Sequence, residues 1–276
     1  MKVLAADGEL DVPANDKRHY RLVELANGLT AMLISDETIG GEKLEDDGAP
    51  PRGGGCWPSF CGRSQQDEAE ENSKTAACAL AVGVGYLNDP SGVGGLAHFL
   101  EHMLFMGTAK YPKENGWNAF LSKHGGSDNG ETEAETTVFY FDVKHDFLRP
   151  ALERFGTFFT CPLLKWEGSA REVQAIESEF VLAQQNDACR QDQLIAHLSD
   201  DDHVYRRFGW GNAKSLVEVP KAAGTDVRAH LAAFHKRWYV HLHATQSRTR
   251  SSRPHTLLKT THAPNPPPQK HPPRDT

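Results

Sequence analysis

Apolar and polar positions alternate along Tyr20–Leu25 and Leu29–Ser35, on either side of Ala26-Asn27-Gly28. Alternation with period two around an Asn-Gly pair predicts a β-hairpin. Thr75–Gly85, rich in Ala and Val, predicts a third strand. Thr136–Lys144 (TTVFYFDVK) predicts a buried strand, preceded by a polar one at Ser127–Thr132. Elsewhere the period lengthens to that of a helix. Gly94–Met106 is apolar nearly all round except at His98, Glu101 and His102, which predicts a buried helix with a polar stripe. Asn115–His124 carries Trp117, Phe120 and Leu121 on one helical face. Asp146–Thr160, Glu167–Asn186 and Asp226–Tyr239 are amphipathic. Hairpins and helices come in mixed order rather than as βαβ repeats, so the fold class expected is α+β.

Two stretches lack this patterning. Residues 36–75 carry ten acids and four bases, with Gly-Gly-Gly and Pro-Pro, and are expected to be a solvated, disordered insertion. Cys56 and Cys61 lie within it, without the His or Cys partners that a zinc site needs. Residues 240–276 carry six bases, one acid, seven prolines and five histidines. They contain no run that predicts an ordered element, and PNPPPQKHPPR favours polyproline II. The domain expected is therefore 1–239 with an insertion at 36–75, followed by a basic, Pro-rich tail.

Composition narrows the function classes. With 38% hydrophobic residues the chain can build a core, while a net charge of -7 argues against nucleic acid or an anionic membrane as partner. The longest apolar stretch, Ala76–Leu87, is too short to span a bilayer. Five irregularly spaced cysteines are no disulfide framework, and the first twenty residues lack the apolar core of a signal peptide. A cytoplasmic, reducing setting is expected.

The sharpest chemical signal is His98-Phe99-Leu100-Glu101-His102. Four residues are about one helical turn, so both imidazoles leave the same face and can chelate one Zn2+. Glu101 reaches the edge of that face and can take a proton from the water that zinc activates. The order H-x-x-E-H is that of inverzincins. A bland polar stripe is the competing explanation, but three ionisable groups in so apolar a helix need partners. A catalytic zinc needs a third protein ligand. Glu172 and Glu179, seven residues apart, share a face of the Glu167–Asn186 helix, whereas Glu177 points about 160° away from Glu179. One of that pair can ligate the metal and the other can support a histidine.

HFLEHMLFMGTAKYPKENGWNAFLSKHGGSDN and REVQAIESEF resemble the pitrilysin/insulinase family of zinc metallopeptidases. The likeness runs from about Asp89 to about Tyr239 and includes the opening hairpin. HGGSDN, VLAQQNDACR and the acidic insertion are closer to a branch of that family with an acidic insertion in the same place. The resemblance implies a mostly antiparallel sheet packed with helices, and one Zn2+ per chain. It implies His98, His102 and Glu179 as metal ligands, Glu101 as general base and Glu172 as the supporting carboxylate. It places Asn129 and Gly130 on an edge strand that holds the substrate backbone, with Gly130 replacing the family's usual Ala. The partners implied are peptides. Glu131, Glu133 and Glu135, alternating along an extended stretch, would favour basic ones.

The family's second half, which completes the enclosed site, is expected to be absent from this chain. After FHKRWY the family continues into an apolar strand, whereas this sequence changes character, as a shifted reading frame or altered gene end would produce. A sheet strand is then expected to be missing, with an apolar edge uncovered. Two functions remain open on these grounds: a zinc endopeptidase domain, or a non-catalytic peptide-binding module that keeps the metal site.

Overall fold

The computed structural model describes residues 1–36 and 75–239, together with the backbone of a strand at 255–259. The expected insertion, apart from its two end residues, and the rest of the tail lie outside the described residues.

Among the described residues, seven strands form one sheet in the order β1-β2-β3-β7-β4-β6-β5. They are β1 (Lys2–Ala5), β2 (His19–Glu24), β3 (Thr30–Ser35), β4 (Thr75–Val82), β5 (Asp128–Thr132), β6 (Thr137–Lys144) and β7 (His255–Lys259). All neighbours are antiparallel except β4 and β7. The helices are α1 (Leu96–Leu104), α2 (Gly116–Lys123), α3 (Leu148–Thr160), α4 (Ser169–Ala183), α5 (Asp187–Leu198), α6 (Val219–Ala222) and α7 (Val227–Trp238). The expected α+β class and mostly antiparallel sheet are observed.

The β2–β3 hairpin closes through Asn27-Gly28. Gly28 takes φ +83°, which a side chain would oppose, and the Asn27 side chain accepts from Leu29 N at 3.2 Å. One face of the sheet is the core: Ala76, Cys78, Leu80 and Val82 of β4 alternate inward beside Thr137, Phe139, Phe141 and Val143 of β6. Against that face pack the apolar sides of α1, α3 and α7, including Leu100, Phe155, Phe158, Phe159 and Leu231. The outer positions of β4 are largely alanine, and those of β6 include Tyr140 and Lys144.

Two expectations need correction. HTLLK forms β7 between β3 and β4, so the tail does contain an ordered element and the sheet lacks no strand at this place. Two strand edges that face one another leave unpaired N–H and C=O groups, and a short extended run satisfies both edges. Five residues are too few to show as periodicity. Second, the helix expected over Glu167–Asn186 stops at Ala183. Asn186 is extended and its side chain accepts from Ala188 N and Cys189 N, starting the separate helix α5. Strand β1, which no expectation covered, is exposed over most of its length and has no alternation to reveal it.

Candidate metal centre

Helix α1 is held at its start by a carboxylate from the preceding turn. Buried Asp89 accepts from Gly95 N at 2.6 Å, Leu96 N at 3.2 Å and Ala97 N at 2.8 Å, which satisfies the first turn's open donors and opposes the helix dipole. Burial pushes the Asp89 carboxyl up to about 7, despite those N–H groups and the nearby Arg207 charge. The helix below it is apolar, with Leu96, Phe99, Leu100, Met103 and Leu104 buried, so its register against the sheet is fixed. That register turns His98, Glu101 and His102 towards α4 and β5.

Three ligand atoms converge. His98 Nε2 lies 3.3 Å from His102 Nε2 and 3.3 Å from Glu179 Oε2, and His102 Nε2 lies 3.6 Å from the same oxygen. Among the described residues this is the one group of three or more His, Cys, Asp or Glu donors close enough to share an ion. The other ring nitrogens are engaged. His98 Nδ1 donates to the Trp210 carbonyl at 2.6 Å, and His102 Nδ1 faces Glu172 Oε2 at 3.3 Å. Both Nε2 atoms therefore point at the same volume that the Glu179 carboxylate faces. Such a cluster needs a proton on an imidazole or a metal cation between its donors, and a metal replaces that proton when it binds. Tetrahedral ligation with metal–ligand bonds of about 2.0–2.1 Å separates ligands by about 3.3 Å, so this donor set fits zinc in type and in spacing.

Electrostatics follow from the same contacts. Burial disfavours charge on His102, but hydrogen bonds to Glu172 and Glu179 outweigh it and raise the imidazole to about 9. Hydrogen bonds from His102 and His98 hold Glu179 down to about 2. Glu179 keeps 45% of its side-chain surface, whereas each histidine keeps 15%, so the group opens to solvent on the Glu179 side. Beside His102 and Glu172 a cleft of about 440 Å³ is lined by Phe105, Met106, Asn115 and Arg171.

Glu101 is buried, and burial raises its carboxyl above the ordinary value. Its Oε2 accepts from the Thr132 hydroxyl at 2.6 Å. Strand β5 backs it: a Cβ on Gly130 would come within 2.6 Å of Glu101 Oε1. β5 ends the sheet order and, among the described residues, pairs only with β6, so no described strand covers its other edge. Asn129 and Glu131 are on the opposite face, where the Tyr140 hydroxyl accepts from the Asn129 amide and donates to Glu131.

The structure thus brings His98, Glu101, His102, Glu172, Glu179 and Gly130 together and puts the Asn129 side chain on the outer face of the same strand. Glu177 does point elsewhere, accepting from Ala213 N at 2.7 Å. The expected extended run through Glu135 is not found. β5 stops at Thr132, and Glu133–Thr136 turn back into β6 with Glu133 N donating to Thr136 O at 2.8 Å. Sequence reasoning missed Thr132 and Trp210. Alternation along β5 could have placed Thr132 with Gly130, but a backbone carbonyl in a distant loop leaves no side-chain signature.

Residues 67–207 match the family model described as Insulinase (Peptidase family M16). The chain belongs to this peptidase family. A nardilysin-like protein of Arabidopsis thaliana is 40% identical over 264 positions, covering 86% of this chain and 26% of the relative. The insulin-degrading enzyme of Mus musculus is 41% identical over 224 positions, covering 81% and 19%. The crystal structure of pitrilysin superposes on this insulinase-family domain with a TM-score of 0.70 at 27% identity, covering 95% of this chain and 23% of that one. The chain spans about a quarter or less of the length of these relatives.

Proposed function

We propose that this insulinase-family domain is a zinc-dependent metalloendopeptidase domain, with one Zn2+ held by His98, His102 and Glu179. The observation that carries this reading is the triangle of two Nε2 atoms and Glu179 Oε2, with Glu101 one residue before His102 on the same helix. When bound, zinc supplies Lewis acidity, polarising a carbonyl and lowering the pKa of water towards neutrality.

The protein's own groups do the rest. Glu101 is the general base. Its poorly solvated carboxylate binds a proton more tightly than an exposed one, and Thr132 holds Oε2 while Oε1, over Gly130, takes the proton. Glu172 orients His102 through Nδ1 and strengthens it as a ligand. An extended peptide adds to the free edge of β5 at Asn129 and Gly130, where backbone hydrogen bonds bind it without reading its sequence. The exposed carboxylates of Glu131, Glu133 and Glu135 favour basic peptides.

Glu101→Gln tests the assignment. The variant keeps its zinc and loses peptide hydrolysis by about 10²–10⁴-fold. Turnover at the level of the unaltered chain removes Glu101 as the base. A chain that binds peptide equally with and without zinc, and never hydrolyses it, is a binding module instead.

A further inference from the structure

We propose that the loop 208–213 is the positioning element of the metal centre: it presents the Trp210 carbonyl to His98 Nδ1 and thereby fixes which ring nitrogen faces the metal. The inference rests on the metal reading above.

His98 and Trp210 are 112 residues apart in sequence, so nothing local holds them together. What holds them is a backbone clamp. Gly95, at the start of α1, takes φ +88°, and a Cβ there would overlap the Gly211 backbone. A Cβ on Gly94 would likewise overlap the Phe208 carbonyl. Ser215 Oγ donates to the Gly94 carbonyl at 2.8 Å, which ties the residues after the loop to the same turn. On the other side the loop is fastened to α4: Glu177 accepts from Ala213 N at 2.7 Å, and Phe180 meets Phe208 edge to face at 5.4 Å.

The loop is therefore packed between the helix that carries both histidines and the helix that carries Glu172 and Glu179. Its Trp210 carbonyl accepts from His98 Nδ1 at 2.6 Å, and the indole meets the imidazole edge to face at 6.3 Å. A carbonyl oxygen can only accept, so Nδ1 carries a hydrogen, and the neutral ring that ligates a metal then has its lone pair on Nε2. Holding a ring in one tautomer and one orientation before the metal arrives removes that cost from binding.

Gly211 is the lever. Its φ of +87° is one that side chains oppose, and a Cβ there would lie 3.2 Å from Gly95 Cα and 3.3 Å from Leu216. Gly224 is the matched control: it takes φ +68° with nothing within 4 Å of a Cβ. Both alanine variants of the full chain carry the backbone strain, but only Gly211→Ala displaces the Trp210 carbonyl. Chelator competition should show zinc affinity reduced about 10–100-fold in Gly211→Ala, and Gly224→Ala within about twofold of the unaltered chain. Equal affinities in the two variants overturn the proposal. Nitrogen-15 NMR of the unaltered chain provides a readout that needs no variant. Hydrogen on His98 Nδ1 in the zinc-free protein supports the proposal, and hydrogen on Nε2 alone overturns it. Failure of the unaltered chain to bind zinc contradicts the metal reading, and the ring-nitrogen result then still decides the role of the loop.

Discussion

Gly130 lies directly beneath the Glu101 carboxyl group: a Cβ added to the glycine would meet Oε1 at 2.6 Å and both Cδ and Cγ at 2.8 Å. The free edge of β5, where substrate backbone is proposed to bind, and the proposed base are thus one packed unit. A side chain at this position displaces the Glu101 carboxyl group, and the nearest atoms it meets all belong to Glu101. Gly130→Val should lower kcat by about 10²-fold or more while zinc content stays at the level of the unaltered chain. Alanine should do less, because the atoms it meets belong to the end of a side chain that can move. Steady-state kinetics beside metal analysis checks this; an unaffected kcat in the valine variant would show that Glu101 does not depend on β5.

Glu172 touches His102 and not the ligand triangle, facing Nδ1 at 3.3 Å. Its loss should appear in metal affinity before it appears in folding. Glu172→Gln should weaken zinc binding about 10–100-fold, measured by chelator competition. Affinity equal to that of the unaltered chain would reduce Glu172 to a solvated neighbour.

Asp89 gives the start of α1 a pH dependence. Burial raises its carboxyl from the ordinary 3.8 to about 7, against three backbone N–H groups and Arg207. A carboxyl whose folded pKa exceeds its unfolded one contributes stability fully below the unfolded value, and loses it as pH rises through the folded value. The chain should therefore lose part of its stability between about pH 4 and about pH 7, on the order of 4 kcal/mol at most. Asp89→Asn does not titrate there. Its melting temperature relative to the unaltered chain should shift in the variant's favour between about pH 4 and about pH 7. A difference that is constant over that range contradicts the raised value.

The residues that could be read from sequence are those whose side chains do the chemistry at helical spacing. His98, Glu101 and His102 share a turn, and Glu172 and Glu179 share a face two turns apart, so period alone gathers them. The family likeness separated the roles of the two glutamates, and the structure places Glu179 at the triangle and Glu172 behind His102. The long strands β4 and β6 were legible because inward apolar residues alternate along them. What escaped depends on contacts between distant parts of the chain. β7 pairs with strands about 180 and 220 residues earlier, α5 begins at one Asn cap, and the Trp210 contact is made by a carbonyl common to every residue. None of these has a local periodicity to find.

The central claim is a metal site made by His98, His102 and Glu179, and zinc content per purified chain measures it most directly. The unaltered chain, equilibrated with zinc and then freed of excess, should hold one zinc per chain, while His98→Ala, His102→Ala and Glu179→Gln should each hold close to none. An unaltered chain without zinc, or a Glu179→Gln chain that retains it as tightly, would contradict the account.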